Sequence, residues 1–592
     1  MKEKVAIFFI LILVLFLIYK EKQRHITGPL PKERCLFCHK DITDPDPSHP
    51  ISAFGCYKCH LGNPFSLDKK RAHFTMVKNP ADLSIVNRTC GRAGCHPDIV
   101  SRVKKSIMAT NKGILKTLLY LWEGEDIDID VTSLFSGNMR KGLALGHYMK
   151  MCGGCHLWKR RWDFPGEIGR RGGGCSDCHI IDYLRPIKKE HPKMTTRIPS
   201  ENCTKCHNRS ARIGLSYFGK FESEGYGTPY RGRWLNMRRL SGNRFFINLP
   251  ADIHYKKANM ECIDCHTEKG LMGDGNEYAH LKGQIEISCN DCHLPKFKEA
   301  KRGGLAEKLA FLNKKVPNPV GKEIAFTKKG TPIYNLQKEG KEIFFYRKMD
   351  GKSIKITKFL KEKPYHNMNG HGRLSCQACH SLWMPQCYGC HDEYIKDKYQ
   401  YNWIKGEIGL GGWKERRSYI RFLRPPLGID SSGKVSLFSP CQVFVYEKDK
   451  VLFKILTMTS FDPHTTQRSS RGCLDCHGDP KTLGLGEGIL YRSKFRPTYD
   501  ANRSGLGINF PLDAFVNIKG KALQITSPYP SARPFNREEI ETIRRVNKCL
   551  PCHNLYEDKI YKDFKESIKR FMKGKGLPCW KIIRKFKVLS HK

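Results

Sequence analysis

Cysteine and histidine recur in one fixed order along this chain. Eleven times the order is Cys-x-x-Cys-His, beginning at Cys35, Cys56, Cys152, Cys175, Cys203, Cys262, Cys289, Cys376, Cys387, Cys473 and Cys549. A twelfth copy, from Cys90 through Cys95 to His96, has four residues between its cysteines. With 26 cysteines and 23 histidines in 592 residues, chance supplies roughly 0.04 copies of the shorter pattern. The spacing suits one chemistry above others. Two thiols separated by two residues span the two vinyl groups of haem, and the next His turns back onto the iron as proximal ligand. Four intervening residues can loop out over the same span. Structural zinc would not need His after every second Cys, and a disulfide framework would not need His at all. A thioredoxin-like pair wants one CxxC beside a βαβ unit. The expected cofactor is covalent haem c, twelve copies in all.

On this reading the second thiols are Cys38, Cys59, Cys95, Cys155, Cys178, Cys206, Cys265, Cys292, Cys379, Cys390, Cys476 and Cys552. The proximal ligands are His39, His60, His96, His156, His179, His207, His266, His293, His380, His391, His477 and His553. Each iron has a sixth position, and its occupant decides the role. A second His gives a low-potential carrier, Met raises the potential, and an open position admits substrate. The candidate distal ligands are His49, His73, His147, His191, His254, His280, His366, His371 and His464. Several precede a motif at a similar interval, as His254 precedes Cys262, His280 Cys289, His366 Cys376 and His464 Cys473. His25 and His591, at the two ends, are poorer candidates. Even counting both, eleven spare histidines do not supply twelve sixth ligands. At least one iron must take Met, another group, a partner's ligand or nothing. Met149 and Met151 stand beside Cys152, although packing is their ordinary role. Cys441 and Cys579 lie outside every motif; a free thiol or a mutual disulfide is expected, and a thiolate on iron is the minor alternative. No catalytic residue can be assigned.

These sites need elements that bring haems together. Cys376 and Cys387 are too close for separate pockets, so their haems must pack on each other. The expected fold is a multihaem cytochrome c fold, with little regular secondary structure, short α-helices around stacked haems and small β-hairpin inserts. Expected spans are 1–24 for a signal anchor, 25–215 for a dense six-haem region and 216–392 for a four-haem region with a hairpin insert at 301–365. Residues 393–592 form a two-haem region with hairpin inserts and a basic amphipathic tail. One longer helix is expected around Asp98 to Trp122, followed by the acidic stretch Glu123 to Asp130, a solvated loop or, less plausibly, a calcium or docking site. Hairpins are expected over 342–356, around Asp350-Gly351, and over 441–456 and 514–525. Asn536 and Glu539 form a capping-box pattern opening a helix. Residues 580–589 put apolar side chains on one helical face and basic ones on the other, suited to lipid or to packing on the body.

Val5 to Tyr19 is an unbroken apolar run behind Lys2 and Lys4, with no small-residue cleavage site after it. An uncleaved signal anchor in the cytoplasmic membrane is expected, with later cleavage as the alternative. Haem c is attached after export, which puts the body on the periplasmic side. The formal charge is +46; twelve haems, with two propionates each, bring about −24 and leave about +22. Part of the basic excess therefore compensates haem carboxylates, and the rest suits anionic lipid or acidic redox partners. Nucleic acid is excluded as a partner, since no recognition motif is present.

The set of motifs resembles the large multihaem c-type cytochromes of respiratory anaerobes. Asp252 to His293 is similar to two-haem units in cytochromes of metal- and sulfur-compound-reducing bacteria, which implies His254 and His280 as distal ligands. The CxxxxCH form at Cys90 resembles a variant in tetrahaem cytochromes of sulfate reducers. Such relatives imply electron transfer between a quinone-linked donor or periplasmic cytochromes and an external acceptor. The expected function is a membrane-anchored electron conduit. The alternative is a reductase of a small nitrogen, sulfur or selenium compound at one open haem. A third reading, compatible with the first, is a haem stack inside a larger respiratory complex.

Overall fold

The computed structural model describes residues 33–136, 142–160, 169–181, 191–208, 213–223, 238–239, 245–356, 363–385, 391–416, 423–447, 450–491, 494–497, 508–526, 531–574 and 578–581. The expected anchor, His25, the Cys387 and Cys390 thiols, the side chain of His391, His591 and most of the basic tail lie outside them. Among the described residues no helix is long and apolar enough to cross a membrane. Backbone contacts divide the chain into two units: one built from residues up to 101 together with 173–196, the other from 102–172 together with 197 onward.

The first unit is made of short turns of helix joined by loops. Its helical turns include Cys35–Cys38, Tyr57–His60 and Ser176–His179. Its strands are a two-residue pair, Ile180–Ile181 with Lys193–Met194. Among its described residues, the buried apolar side chains are Leu83, Val86 and Val100.

The second unit holds two larger sheets. In the first, β1 (Phe297–Glu299), β2 (Glu323–Phe326), β3 (Pro332–Glu339), β4 (Glu342–Tyr346) and β5 (Ser353–Lys355) lie in order 5-4-3-2-1, all antiparallel. Six consecutive residues of β3 are buried because both faces are covered. Ala306, Ala310, Ile324 and Tyr334 pack on one side, and Met260, Ile333, Leu336 and Phe345 on the other. The second sheet contains β6 (His391–Ile395), β7 (Gly412–Arg416), β8 (Leu427–Ile429), β9 (Val435–Glu447), β10 (Lys450–Ser460) and β11 (Ile525–Thr526). Its order is 7-6-9-10-11, with β8 on β9; the 6–9 and 10–11 pairs are parallel.

The hairpins at 342–356 and 441–456 are present, but they are parts of these sheets rather than small appendages. Strands buried on two faces need more neighbours than a hairpin supplies. The 514–525 hairpin is reduced to one bridge, Val516 with Ala522. Beyond it Ile525–Thr526 leaves to pair with β10. The single helix expected over 98–122 is instead three: Pro97–Lys105, Ile107–Thr110 and Lys112–Glu123. Ser106 is extended and Asn111 left-handed (φ 50°), and each interrupts the hydrogen-bond ladder. The capping box at Asn536 is formed in both directions: Asn536 Oδ1 accepts from Glu539 N at 2.8 Å, and Glu539 Oε2 accepts from Asn536 N at 3.0 Å. In the acidic stretch, Asp126 and Asp128 pair with Lys116 and Lys112.

Candidate functional site

At most of the described motifs the chain makes one helical turn, so the His N–H comes back to the carbonyl of the first cysteine. These bonds measure 3.1 Å at His39, 2.9 Å at His60, 3.0 Å at His179 and 3.0 Å at His266. The longer Cys90 motif closes in the same way, His96 N to Cys90 O at 2.9 Å, while Gly94 at φ 79° lets the extra residues bulge. The additional length is thus absorbed without changing how His relates to the first thiol.

A recurring aspartate, absent from the sequence expectations, fixes several of these turns. In Cys-x-Asp-Cys, the Asp is three residues past the helix N-cap. Asp264, Asp291 and Asp475 accept from the backbone N–H of Glu261, Ser288 and Gly472 at 2.8, 2.7 and 2.9 Å. The repeated Asp at that position was the available signal. The first sheet braces one such turn directly: Lys348 N donates to Asp264 Oδ1 (2.6 Å) and Asn335 Nδ2 to Asp264 O (3.2 Å). Its apolar face meets Cys265 and Cys292. In the second sheet, Val435 O accepts from Ser375 N at 2.9 Å, next to Cys376.

Among the described residues, seven motif histidines face a second histidine across a narrow gap. In the first unit the pairs are His39 with His73, His96 with His49 and His60 with His191, at ring-centre separations of 6.2, 6.1 and 6.0 Å. In the second they are His293 with His254, His266 with His464, His380 with His366 and His477 with His371, at 6.0, 6.3, 6.4 and 5.9 Å. Two imidazoles that each bind one metal through nitrogen at about 2 Å have ring centres about 6 Å apart. The donor set therefore fits a haem iron between each pair.

The other ring nitrogen is already engaged in most of these histidines. His60, His380 and His477 donate from Nδ1 to the carbonyls of Val77, Gln467 and Ile543 at 2.8, 3.2 and 2.7 Å. Their counterparts His73, His191, His371 and His464 use the carbonyls of Lys69, Pro192, Asn369 and Asp462. His49 and His254 use carboxylates, Asp46 at 2.7 Å and Asp252 at 2.8 Å. A proton held on Nδ1 leaves the Nε2 lone pair for a metal. Burial also pushes His60, His96, His293 and His477 below the ordinary histidine range, and His266 down to about 4, which keeps those rings neutral.

The pairs do not follow the sequence intervals that suggested them. Only His366 faces the motif that comes next, at His380; His254 passes over Cys262 to face His293, and His464 reaches back to His266. His147 sits between the rings of Trp122 and Trp413, at 5.0 and 4.8 Å. His280 stands at the start of the Leu281–Gln284 turn. The motif histidines His179 and His553 donate from Nδ1 to Thr195 O (2.9 Å) and Asp558 Oδ2 (2.7 Å).

Attachment cysteines of different motifs also meet. Cys35 lies near Cys56 in the first unit, and in the second Cys203 lies near Cys262 and Cys289 near Cys376. Met149 and Met151 sulfurs accept from Asn402 (3.6 Å) and Gln400 (3.3 Å), an ordinary packing role. Cys579 is a free thiol; the Cys441 side chain lies outside the described residues.

A family model described as "Doubled CXXCH motif" matches residues 170–212, the segment with the Cys175 and Cys203 motifs. No curated protein and no solved structure matches the chain. The doubled motif marks covalently bound haem c, and with it the iron-based electron transfer of a multihaem c-type cytochrome.

Proposed function

We propose that this chain is a membrane-anchored, extracytoplasmic electron-transfer protein of anaerobic respiration, with haem c at all twelve motifs. The observation that supports this best is the set of seven facing histidine pairs, at 5.9 to 6.4 Å. When bound, haem c supplies reversible one-electron iron chemistry. The protein's part is to hold both imidazoles in place, with Nδ1 occupied in most of them, so that the same two ligands serve both oxidation states. The acceptors on Nδ1 tune that chemistry. The carboxylates of Asp46 and Asp252 make His49 and His254 stronger donors than the carbonyls at His73 and His371 do. Stronger donation favours the ferric form and lowers the potential. Close approach of Cys203 to Cys262 and of Cys289 to Cys376 suits neighbouring, stacked haems.

Residues 1–24 would hold the protein to the cytoplasmic membrane, with the body on the periplasmic side. A quinone-linked donor or periplasmic cytochromes would be its redox partners. The alternative, reduction of a small nitrogen, sulfur or selenium compound, draws on the shortage of histidines, since eleven spare ones cannot supply twelve sixth ligands. Protein-film voltammetry on the purified full chain separates the two. A broad reversible envelope unchanged by nitrite, sulfite or selenite supports carriage; a catalytic reductive current with any of them supports the reductase. Intact mass should give twelve haems per chain.

A further inference from the structure

We propose that Arg471 binds a haem propionate and raises the potential of two neighbouring haems, those attached at the Cys376 and Cys473 motifs. This rests on the reading that both motifs carry haem c. The loop that leads into Cys473 lies against the Cys376 motif. Gln467 N donates to His380 O at 2.9 Å, and Arg471 N donates to Cys379 O at 2.9 Å. His380 Nδ1 returns a bond to Gln467 O at 3.2 Å. The next residue, Gly472, caps the Cys473 turn. The two attachment sites are therefore neighbours, and Ala378 and Cys476 pack in one apolar cluster.

The Arg471 side chain stands between them. Burial raises the thiols of Cys379 and Cys476, and the Arg471 guanidinium pulls both back, so its charge acts on both sites. Nη1 donates to Thr482 Oγ1 at 3.3 Å and Nη2 to Pro425 O at 3.1 Å, which fixes the plane of the guanidinium. Nε is buried and has no acceptor among the described residues. A buried N–H left without an acceptor is costly.

The class of ligand follows from the donor. A guanidinium N–H binds carboxylates best, and the carboxylates nearest a haem are its own propionates. The two protein acids that act on Arg471, Asp475 and Asp479, are engaged elsewhere. Asp475 accepts from Gly472 N at 2.9 Å. Asp479 pairs with Arg424 and accepts from the N–H groups of Lys481 and Thr482 at 2.8 and 3.1 Å. Iron gains a positive charge on oxidation, so a fixed cation nearby disfavours the ferric form and raises the potential.

The test uses the full-length, haem-loaded protein with one reporter iron at a time. His366→Ala and His371→Ala should each add a high-spin ferric signal, from the irons on His380 and His477, and that signal then follows one haem through a redox titration. No added signal in either variant would overturn the haem reading itself, and the proposal with it. In each background, Arg471→Gln should shift the ferric-to-ferrous ratio at fixed potential about tenfold toward ferric, a fall of about 59 mV. Arg471→Lys keeps the charge and Thr482→Val removes only a hydrogen bond, so each should change the ratio less than about threefold. A ratio that Arg471→Gln leaves unchanged, or that Thr482→Val moves as far, would contradict the role of the charge. Infrared difference spectra of protein grown on δ-aminolevulinic acid with a heavy-carbon carboxyl read the propionates apart from protein carboxylates. A labelled carboxylate band should move on Arg471→Gln; labelled bands that all stay in place would overturn propionate binding.

Discussion

The two units solve the problem of a core differently. In the first, Leu83, Val86 and Val100 are the described buried apolar side chains, while Phe37, Phe65, Leu67 and Phe74 are 64%, 57%, 58% and 88% exposed on the protein surface. In the second, β3 is buried along six residues, and the clusters around Leu336, Ile324, Leu437 and Leu119 are ordinary side-chain cores. Both units nonetheless hold histidine pairs at the same spacing. The lesson is that the ligand geometry does not depend on how the surrounding core is made. Where sheets are absent, the exposed aromatics have the chemistry to pack on porphyrin faces, as the proposed haems would require.

The largest expected effect breaks the comparison apart. The chain produced in the cytoplasm, without haem attachment, should lose structure in 33–101 and 173–196 but keep it in the sheets of the second unit. Hydrogen exchange should show protection on the order of 10³-fold or more in β3 and β9–β10 and near none in the first unit. Equal protection in both would mean that the first unit has a core of its own.

Removing one distal candidate sharpens the same contrast. His73→Ala and His464→Ala should each convert one low-spin iron to high-spin and raise its potential, read by paramagnetic resonance and redox titration. Thermal stability should fall more for His73→Ala, because a ligand in the first unit also secures its core.

A side-chain core responds to cavities. Leu336→Ala, at a site with no exposure, should cost about 2–5 kcal/mol in denaturant unfolding of the second unit while leaving the haem spectrum unchanged.

The smallest effect concerns pH. Burial raises the Asp430 carboxyl, but the hydroxyls of Ser432 and Ser436 and the N–H groups of Ser432 and Lys434 outweigh it and bring it to about 2. A depressed carboxyl stabilises the fold above its unfolded value and loses that contribution as pH falls. The stability gap between wild type and Asp430→Asn should therefore be about 2 kcal/mol at pH ~5 and shrink between pH ~4 and ~2. A gap that holds constant with pH would assign the effect to packing.

The attachment sites were legible because their chemistry is local: two thiols and a His on one turn. The hairpins at 342–356 and 441–456 and the cap at Asn536 were legible for the same reason. The joining of hairpins into sheets was not, since β6–β9 and β10–β11 are parallel pairs between distant segments. Among the described residues, seven of the nine candidate distal histidines face a motif histidine, yet which motif each faces depends on tertiary contacts. His254 and His464 show this: both precede a motif closely and face a different one. The break at Asn111 escaped because a left-handed Asn leaves no mark in apolar periodicity.

The central claim is that paired histidines hold the irons. Quantitative paramagnetic resonance of the oxidised full chain, normalised to haem, tests it most directly. At least seven low-spin irons per chain are expected, one for each facing pair. A largely high-spin spectrum, with fewer low-spin irons than pairs, would contradict it.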